Sequence, residues 1–335
     1  VDLAPSTSGV GPTLITLDEV RAAFARIEAH VLRTPLMTLA GAGVMVKAES
    51  LQASGSFKLR GAYHQLLCLD AAAAARGVVA HSSGNHAIAV AMASKALSIP
   101  ATIVMPVDAP DLKRRWTEGL GATVEIVGPA SSERSARAAQ LAADAGLTPV
   151  EPYDAMSTIA ATGTIALEVH EQIIGDEPFE LYVPISGGGL IAGVAAAAKL
   201  VADEMGRSVR VVGVEPDLAA DALASRRAGR PVTLPAEDMG RTLADGLRVQ
   251  TVGARPWPHL EAFVDEIVTV TEDELCDAMR RCASEARLVA EPSGAVPVAA
   301  ALAGRGGADL PAGRRIAVLT GGNVDPALYA RILAS

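Results

Sequence analysis

Of the five lysines in the 335 residues (Lys47, Lys58, Lys95, Lys113 and Lys199), only Lys58 is flanked on both sides by small and apolar residues, in Ser54-Gly55-Ser56-Phe57-Lys58-Leu59-Arg60-Gly61. Desolvation in such a setting lowers an amine's pKa and leaves a neutral nitrogen able to attack a carbonyl. Arginine cannot do this, because its guanidinium is effectively never deprotonated. Two other stretches suit anions. Ser186-Gly187-Gly188-Gly189-Leu190 follows an expected strand and opens a helix, so its free amides and the helix dipole attract a phosphate. His81-Ser82-Ser83-Gly84-Asn85-His86 lies at a strand-to-helix turn whose amides and hydroxyls suit a carboxylate, or form an ordinary polar cap.

An amine poised to form an imine is how pyridoxal phosphate (PLP) is held. A rival reading uses the same glycines: Gly187-x-Gly189-x-x-Ala192, with Glu215 ending the next strand, satisfies the dinucleotide-binding fingerprint of an NAD-dependent oxidoreductase. That reading leaves Lys58 and the late Thr320-Gly321-Gly322-Asn323 without purpose, whereas PLP uses all three stretches.

SGSFKLRGA, preceded by Glu49-Ser50-Leu51-Gln52, resembles the lysine motif of the PLP-dependent serine/threonine dehydratase and serine racemase family. The similarity runs from Arg33-Thr34-Pro35-Leu36 to Thr320-Gly321-Gly322-Asn323. It implies an α/β chain of fold type II, the tryptophan-synthase-β-like fold. Two open, twisted, mostly parallel sheets with flanking helices would hold the cofactor between a large and a small domain. By the same resemblance Lys58 carries the cofactor and Phe57 packs against it. The loop Ser186, Gly187, Gly188, Gly189 and Leu190 holds its phosphate, although Ser186 stands where the family's loop usually starts with glycine and offers its amide instead, and Asn85 meets the ring hydroxyl. Glu291 lies near it, and Thr320 faces the pyridine nitrogen. A neutral hydroxyl there cannot hold that nitrogen protonated as an aspartate would, which disfavours long-lived carbanions and favours prompt loss of a β-leaving group.

The resemblance also places the substrate carboxylate at Ser82, Ser83, Gly84, Asn85 and His86, and makes Ser83 the acid/base facing the lysine in racemising members. Arg134 resembles an arginine of the racemases and is a candidate for a second carboxylate. Glu215, Ala219 and Asp221 match a metal site of two carboxylates and one carbonyl, and such all-oxygen ligation suits Mg²⁺ or Ca²⁺; the rival is a solvated acidic patch. One departure is Ile159-Ala160-Ala161-Thr162-Gly163-Thr164 where the family commonly reads I-A-G-Q-G-T. If that glutamine shapes the pocket, the accepted side chain differs from that of serine or threonine.

Composition is consistent with this. Half the residues are hydrophobic and 20% charged, a globular profile. A net charge of −9 argues against nucleic acid or an anionic membrane as partner. Three cysteines without C-x-x-C suggest a reducing compartment and no metal cluster. The start lacks the features of a signal peptide, and the most apolar helical run, Leu190 to Val201, is too short to span a bilayer. The expectation is a cytoplasmic protein, and by resemblance a homodimer.

Residues 1–15 read as a loose arm. Thr16 to Glu19 forms a capping box opening a helix toward His30, and a strand over 44–48 leads to the lysine loop. A helix is expected over 60–75. Strands and helices then alternate: strand 78–80, helix 85–97, strand 101–105, a helix from Pro110, strand 122–127, helix 131–145. Strand 181–185, helix 190–205 and strand 209–214 resume the pattern, and residues 229–240 read as a long loop. Strand 267–270 precedes the capping box Thr271 to Glu274 and a long helix, and strand 316–319 precedes a last helix to Ile332. Such alternation means βαβ units and a parallel sheet. By resemblance, residues 1–75 with 153–335 form the large domain and 76–152 a small mobile one. No regulatory domain is expected after Asn323, and therefore no feedback by isoleucine.

The expected reaction is dehydration of L-serine or L-threonine to a 2-oxo acid and ammonia, with Lys58 as general base. Serine racemisation and threo-3-hydroxyaspartate dehydration are the alternatives, and the nicotinamide oxidoreductase is a remoter one.

Overall fold

The computed structural model describes residues 13–82, 84–109, 111–307 and 314–334. Most of the arm expected over 1–15, Ser83, and the Pro110 expected to start a helix lie outside the described residues.

The helix after Thr16 is α1 (Leu17–Ile27), and both halves of its capping box are made. Strand β1 (Leu36–Leu39) pairs antiparallel with β2 (Val44–Ala48), which runs into a single 3₁₀ turn, Glu49–Leu51. Lys58 is the first residue of α2 (Lys58–Leu67). The continuous helix expected over 60–75 is in fact two. The chain breaks at residues 68–70, and the Asp70 side chain caps α3 (Ala71–Arg76) by accepting from the Ala73 amide at 2.7 Å. Asp competes with the helix for backbone donors, so it starts helices better than it continues them.

Strands β3 (Val78–His81), β4 (Ala101–Pro106), β5 (Thr123–Val127) and the two-residue β6 (Thr148–Pro149) make a four-stranded parallel sheet in the order β5-β4-β3-β6. Between them run α4 (Asn85–Leu97), α5 (Asp111–Gly119) and α6 (Ser131–Ala145). The chain then forms α7 (Met156–Gln172), β7 (Phe179–Pro184), α8 (Gly189–Met205), β8 (Val209–Pro216) and α9 (Asp221–Ala228). Within the expected loop 229–240 sits one helical turn, α10 (Ala236–Met239). Then come α11 (Pro256–Phe263), β9 (Glu266–Val270), α12 (Glu272–Arg281), α13 (Pro292–Leu302), β10 (Arg315–Leu319) and α14 (Pro326–Ala334). The six-stranded sheet has the order β1-β2-β10-β7-β8-β9, and every pair after the first is parallel.

Side chains on its central strands alternate between two apolar layers. Ile316 and Val318 of β10 and Leu181 and Val183 of β7 join the core with α1, α7 and α8. Ala317, Leu319 and Tyr182 point the other way, into the core with α12 and α13. A period of two with both faces buried is the signature of a sheet covered by helices on each side. A third core joins α2 to α4 and the four-stranded sheet through Leu59, Ala62, Leu66, Ala87 and Ile103. The lysine-bearing helix is thereby wedged between the two sheets.

Candidate active site

The loop before Lys58 is stitched to the turn after β10. The Phe57 amide donates to the Thr320 carbonyl at 2.9 Å, and the Gly322 amide donates to the Gly55 carbonyl at 2.9 Å. Gly55 has φ +74°, and a Cβ there would lie 2.1 Å from Asn323 Oδ1, so both the backbone and the space require glycine. The Lys58 amine donates to the Pro152 carbonyl at 2.7 Å and lies 5.0 Å from the centre of the Phe57 ring. Burial lowers its pKa to about 8. At neutral pH roughly a tenth of such an amine is uncharged, several hundredfold more than of an exposed lysine.

Four expected stretches converge here. Asn323 Nδ2 donates to the Ser54 carbonyl and to Asn85 Oδ1, each at 2.8 Å. Asn85 Nδ2 in turn donates to Glu291 Oε1 at 2.6 Å. Glu291 is buried, and burial followed by the charge of Asp245 pushes its carboxyl up to about 7. Thr320 is buried.

Gly187, Gly188 and Gly189 lead into α8, and Gly188 has φ +86°. A Cβ on Gly187 would come within 2.4 Å of the Tyr153 ring, and one on Gly189 within 2.4 Å of the Tyr153 carbonyl. No side chain caps this helix, and the Ser186 hydroxyl is buried without a partner. Amides at the start of a 17-residue helix, glycines too tight for any side chain and an unsatisfied buried hydroxyl together fit a phosphate. Leu190 is buried behind the loop.

At the other turn, Ser82 Oγ accepts from the Gly84 amide at 3.1 Å. His86 is held neutral, its pKa down to about 3 through burial and the nearby Lys58 charge, and its Nε2 donates to the Val150 carbonyl at 2.9 Å. Ser83, the expected second base, lies outside the described residues. Arg134 sits on α6, where its guanidinium donates to the Pro129 carbonyl at 3.0 Å and its charge helps to depress His81. Thr162, at the departure from the family pattern, donates to the Ile159 and Gly189 carbonyls, each at 3.0 Å, and so ties α7 to the glycine loop. It also lines a small cavity beside Lys58, with Phe57, His86, Pro152 and Thr158.

Glu215, Ala219 and Asp221 are all buried. Glu215 accepts from the Ala222 and Leu223 amides at 2.9 and 2.8 Å, whereas both Asp221 oxygens lack a partner. Burial and then the Asp221 charge push Glu215 well above the usual carboxylate range, and burial raises Asp221 to about 7. Two buried carboxyls, one of them with both oxygens unpartnered, fit a hard cation, and their burial sets them apart from the solvated patch of the alternative. Glu215, turned onto the start of α9, is also not free to meet a nucleotide ribose as the dinucleotide reading requires.

Sequence reasoning missed Pro152, Tyr153 and Asn323. The three consecutive glycines were the available signal for Tyr153, since such a run implies that something bulky approaches closely. Pro152 acts through its carbonyl, which carries no residue-type signal.

The pattern of the pyridoxal-phosphate dependent enzyme family matches residues 27–322. The chain is 41% identical over 315 residues to a serine racemase of Arabidopsis thaliana, covering 91% of this chain and 92% of that one. It is 38% identical to a beta-hydroxyaspartate dehydratase of Paracoccus denitrificans, covering 92% and 96%. Among solved structures, a T.th. threonine deaminase superposes with a TM-score of 0.84 at 39% identity, covering 93% and 99%.

Proposed function

The chain belongs to the pyridoxal-phosphate dependent enzymes, and on that premise we propose that it is a lyase that dehydrates L-serine or L-threonine to a 2-oxo acid and ammonia. The observation that carries this reading is the Lys58 amine, lowered to about 8 at the start of a helix whose preceding loop is tied to Thr320. PLP, when bound, supplies an aldehyde for an amine and an electron-withdrawing ring. The protein's own residues do the rest. The amides of Gly187 to Gly189 and the Ser186 hydroxyl would hold the phosphate. Phe57 would pack against the cofactor, Asn85 would hydrogen-bond its ring hydroxyl, and Thr320 would offer a neutral hydroxyl to the ring nitrogen, with Glu291 beside Asn85.

The substrate carboxylate docks at the Ser82–His86 turn, on the amides that open α4. Lys58, as a neutral amine, takes the proton from Cα, the C–H electrons form the Cα–Cβ double bond, and the β-hydroxyl takes up one proton and leaves as water, so that the protons removed and added cancel. Hydrolysis of the resulting enamine then yields the 2-oxo acid and ammonia. The Pro152 carbonyl holds the amine, and burial limits water at that atom.

Mg²⁺ or Ca²⁺ belongs to the same reading, held by Glu215, Asp221 and the Ala219 carbonyl. So do the division into residues 1–75 with 153–335 and a moving unit over 76–152, a homodimer, and a cytoplasmic location; light scattering tests the dimer. A second reading, racemisation of serine with Ser83 as the opposite-face base, is favoured by the 41% identity to a serine racemase. Hydroxyaspartate dehydration, with Arg134 on the second carboxylate, is a variant of the first.

Replacing Lys58→Ala is expected to remove the visible absorbance of the holoenzyme and to cut 2-oxo acid formation by roughly a hundredfold or more. Unchanged 2-oxo acid formation overturns the reading. Assaying D-serine beside pyruvate from L-serine separates lyase from racemase, and Ser83→Ala is expected to remove only the racemising part.

A further inference from the structure

Lys113 has no role in the site as described so far, yet it faces it. Its ammonium, on α5 of the four-stranded unit, lies 3.9 Å from where a Cβ on Gly84 would stand, beside the turn that opens α4. On its other side is Asp245 Oδ2 at 3.3 Å, on a loop of the six-stranded unit. That loop is held by Ser293, which accepts from the Gly246 amide at 2.8 Å and reaches Asp245 Oδ1 at 3.4 Å. The Lys113 and Asp245 charges both act on Glu291, in opposite directions, which places them next to the Asn85 network.

The pair is unequal and loose. The Lys113 side chain is 16% exposed and that of Asp245 51%. A separation of 3.3 Å is longer than a good charged hydrogen bond. A compact ammonium on a flexible stem can exchange such a partner for a better one.

We infer that Lys113 binds the carboxylate of the amino-acid substrate at the Gly84–Asn85 turn, leaving Asp245 to do so. This rests on the proposal that an amino acid docks at that turn. Arg134, the cation singled out from the sequence, donates to a backbone carbonyl of its own helix start, whereas Lys113 stands directly against the turn. An alternative is that Lys113 and Asp245 merely latch the two units together.

The two ideas differ in sign. As a latch, the pair is broken by either substitution, and both variants move the same way. As a competitor, Asp245 holds Lys113 away from the ligand, so its removal helps. The test is the dissociation constant of glycine, which has no leaving group, measured by calorimetry on the PLP-loaded enzyme. Lys113→Met is expected to weaken glycine about tenfold, Lys113→Arg to stay within about threefold of the wild type, and Asp245→Asn to tighten it about threefold. Circular dichroism and cofactor absorbance establish that each variant is folded and loaded. Unchanged glycine affinity in Lys113→Met, or weakening in Lys113→Met and Asp245→Asn alike, overturns the inference. The functional reading is judged separately, by 2-oxo acid formation from L-serine and L-threonine in the wild type.

Discussion

Two buried charged clusters lie in the larger part of the molecule, and they are built on opposite plans. In the first, Arg60 donates to both oxygens of Glu49 and both oxygens of Glu168 at 2.7–3.0 Å, and Lys47 donates to Glu168 at 2.6 Å. Thr34, Thr164 and Gln172 take up neighbouring donors and acceptors. Two cations meet two anions, and all four side chains are at most 1% exposed. In the second, Glu215 and Asp221 bring two carboxyls together with no cationic side chain hydrogen-bonded to either among the described residues, and the Asp221 oxygens find no donor. Burial alone cannot be what they share in purpose. A neutral, fully hydrogen-bonded cluster is a strut joining β2, α2 and α7 just behind Lys58; the unbalanced one is proposed as a socket for something positive.

The contrast can be broken most severely at Arg60. Arg60→Met leaves Glu49 and Glu168 buried with too little positive charge and is expected to cost about 3–5 kcal/mol in urea unfolding. A loss under about 1 kcal/mol would mean that the strut is not one. The socket is sharpened by Mg²⁺. At a hundredfold excess over its Kd it is expected to raise wild-type stability by about 2.7 kcal/mol and to leave Asp221→Asn unmoved. Equal responses of the two proteins in thermal melts would remove the distinction.

Acid offers a smaller effect on the strut. Burial favours the neutral form of Glu49, but the Arg60 charge and the hydrogen bonds from Arg60 and Thr34 outweigh it and hold the pKa below 4.5. A depressed carboxylate contributes stability that is present above its unfolded value and lost as pH falls through the folded one. Wild-type stability is therefore expected to drop below pH 4.5 with a component missing from the Glu49→Gln, Arg60→Met double variant, read by denaturant titration at each pH. The smallest effects are expected at surface caps outside both clusters. Thr16→Ala and Thr271→Ala should each cost about 1 kcal/mol and leave the Mg²⁺ response intact.

What was legible in the chain was mostly what is local. Both capping boxes formed where Thr16 and Thr271 stand three residues before a glutamate. Helix α4 begins at Asn85 and ends at Leu97, since a polar turn precedes it and Ser98 breaks it in the left-handed region. Helices α7 and α13 gave no such signal. They are buried nearly all round, so no polar face marks a 3.6-residue period, and α13 carries Pro292 and Pro297 among glycine and serine. The place of β10 between β2 and β7 depends on pairings with strands far away in the chain. Within the site, the lysine loop, the glycine run and the Asn85 turn were readable because residue type carries their chemistry. Pro152, Asn323 and Lys113 were not, because their parts depend on which distant segment folds against them.

Helices α7 and α8 cross so closely that a single added methyl has nowhere to go: a Cβ on Gly193 would stand 2.0 Å from the Ile159 carbonyl and 2.7 Å from the Gly163 nitrogen. Backbones this close, with only the small Thr162 side chain at the contact, cannot slide past one another by repacking bulky side chains. Whatever shifts α7 must carry α8 and the glycine turn at its head along with it. The glycine turn is therefore registered against α7 both by backbone contact and by the Thr162 hydroxyl on the Gly189 carbonyl.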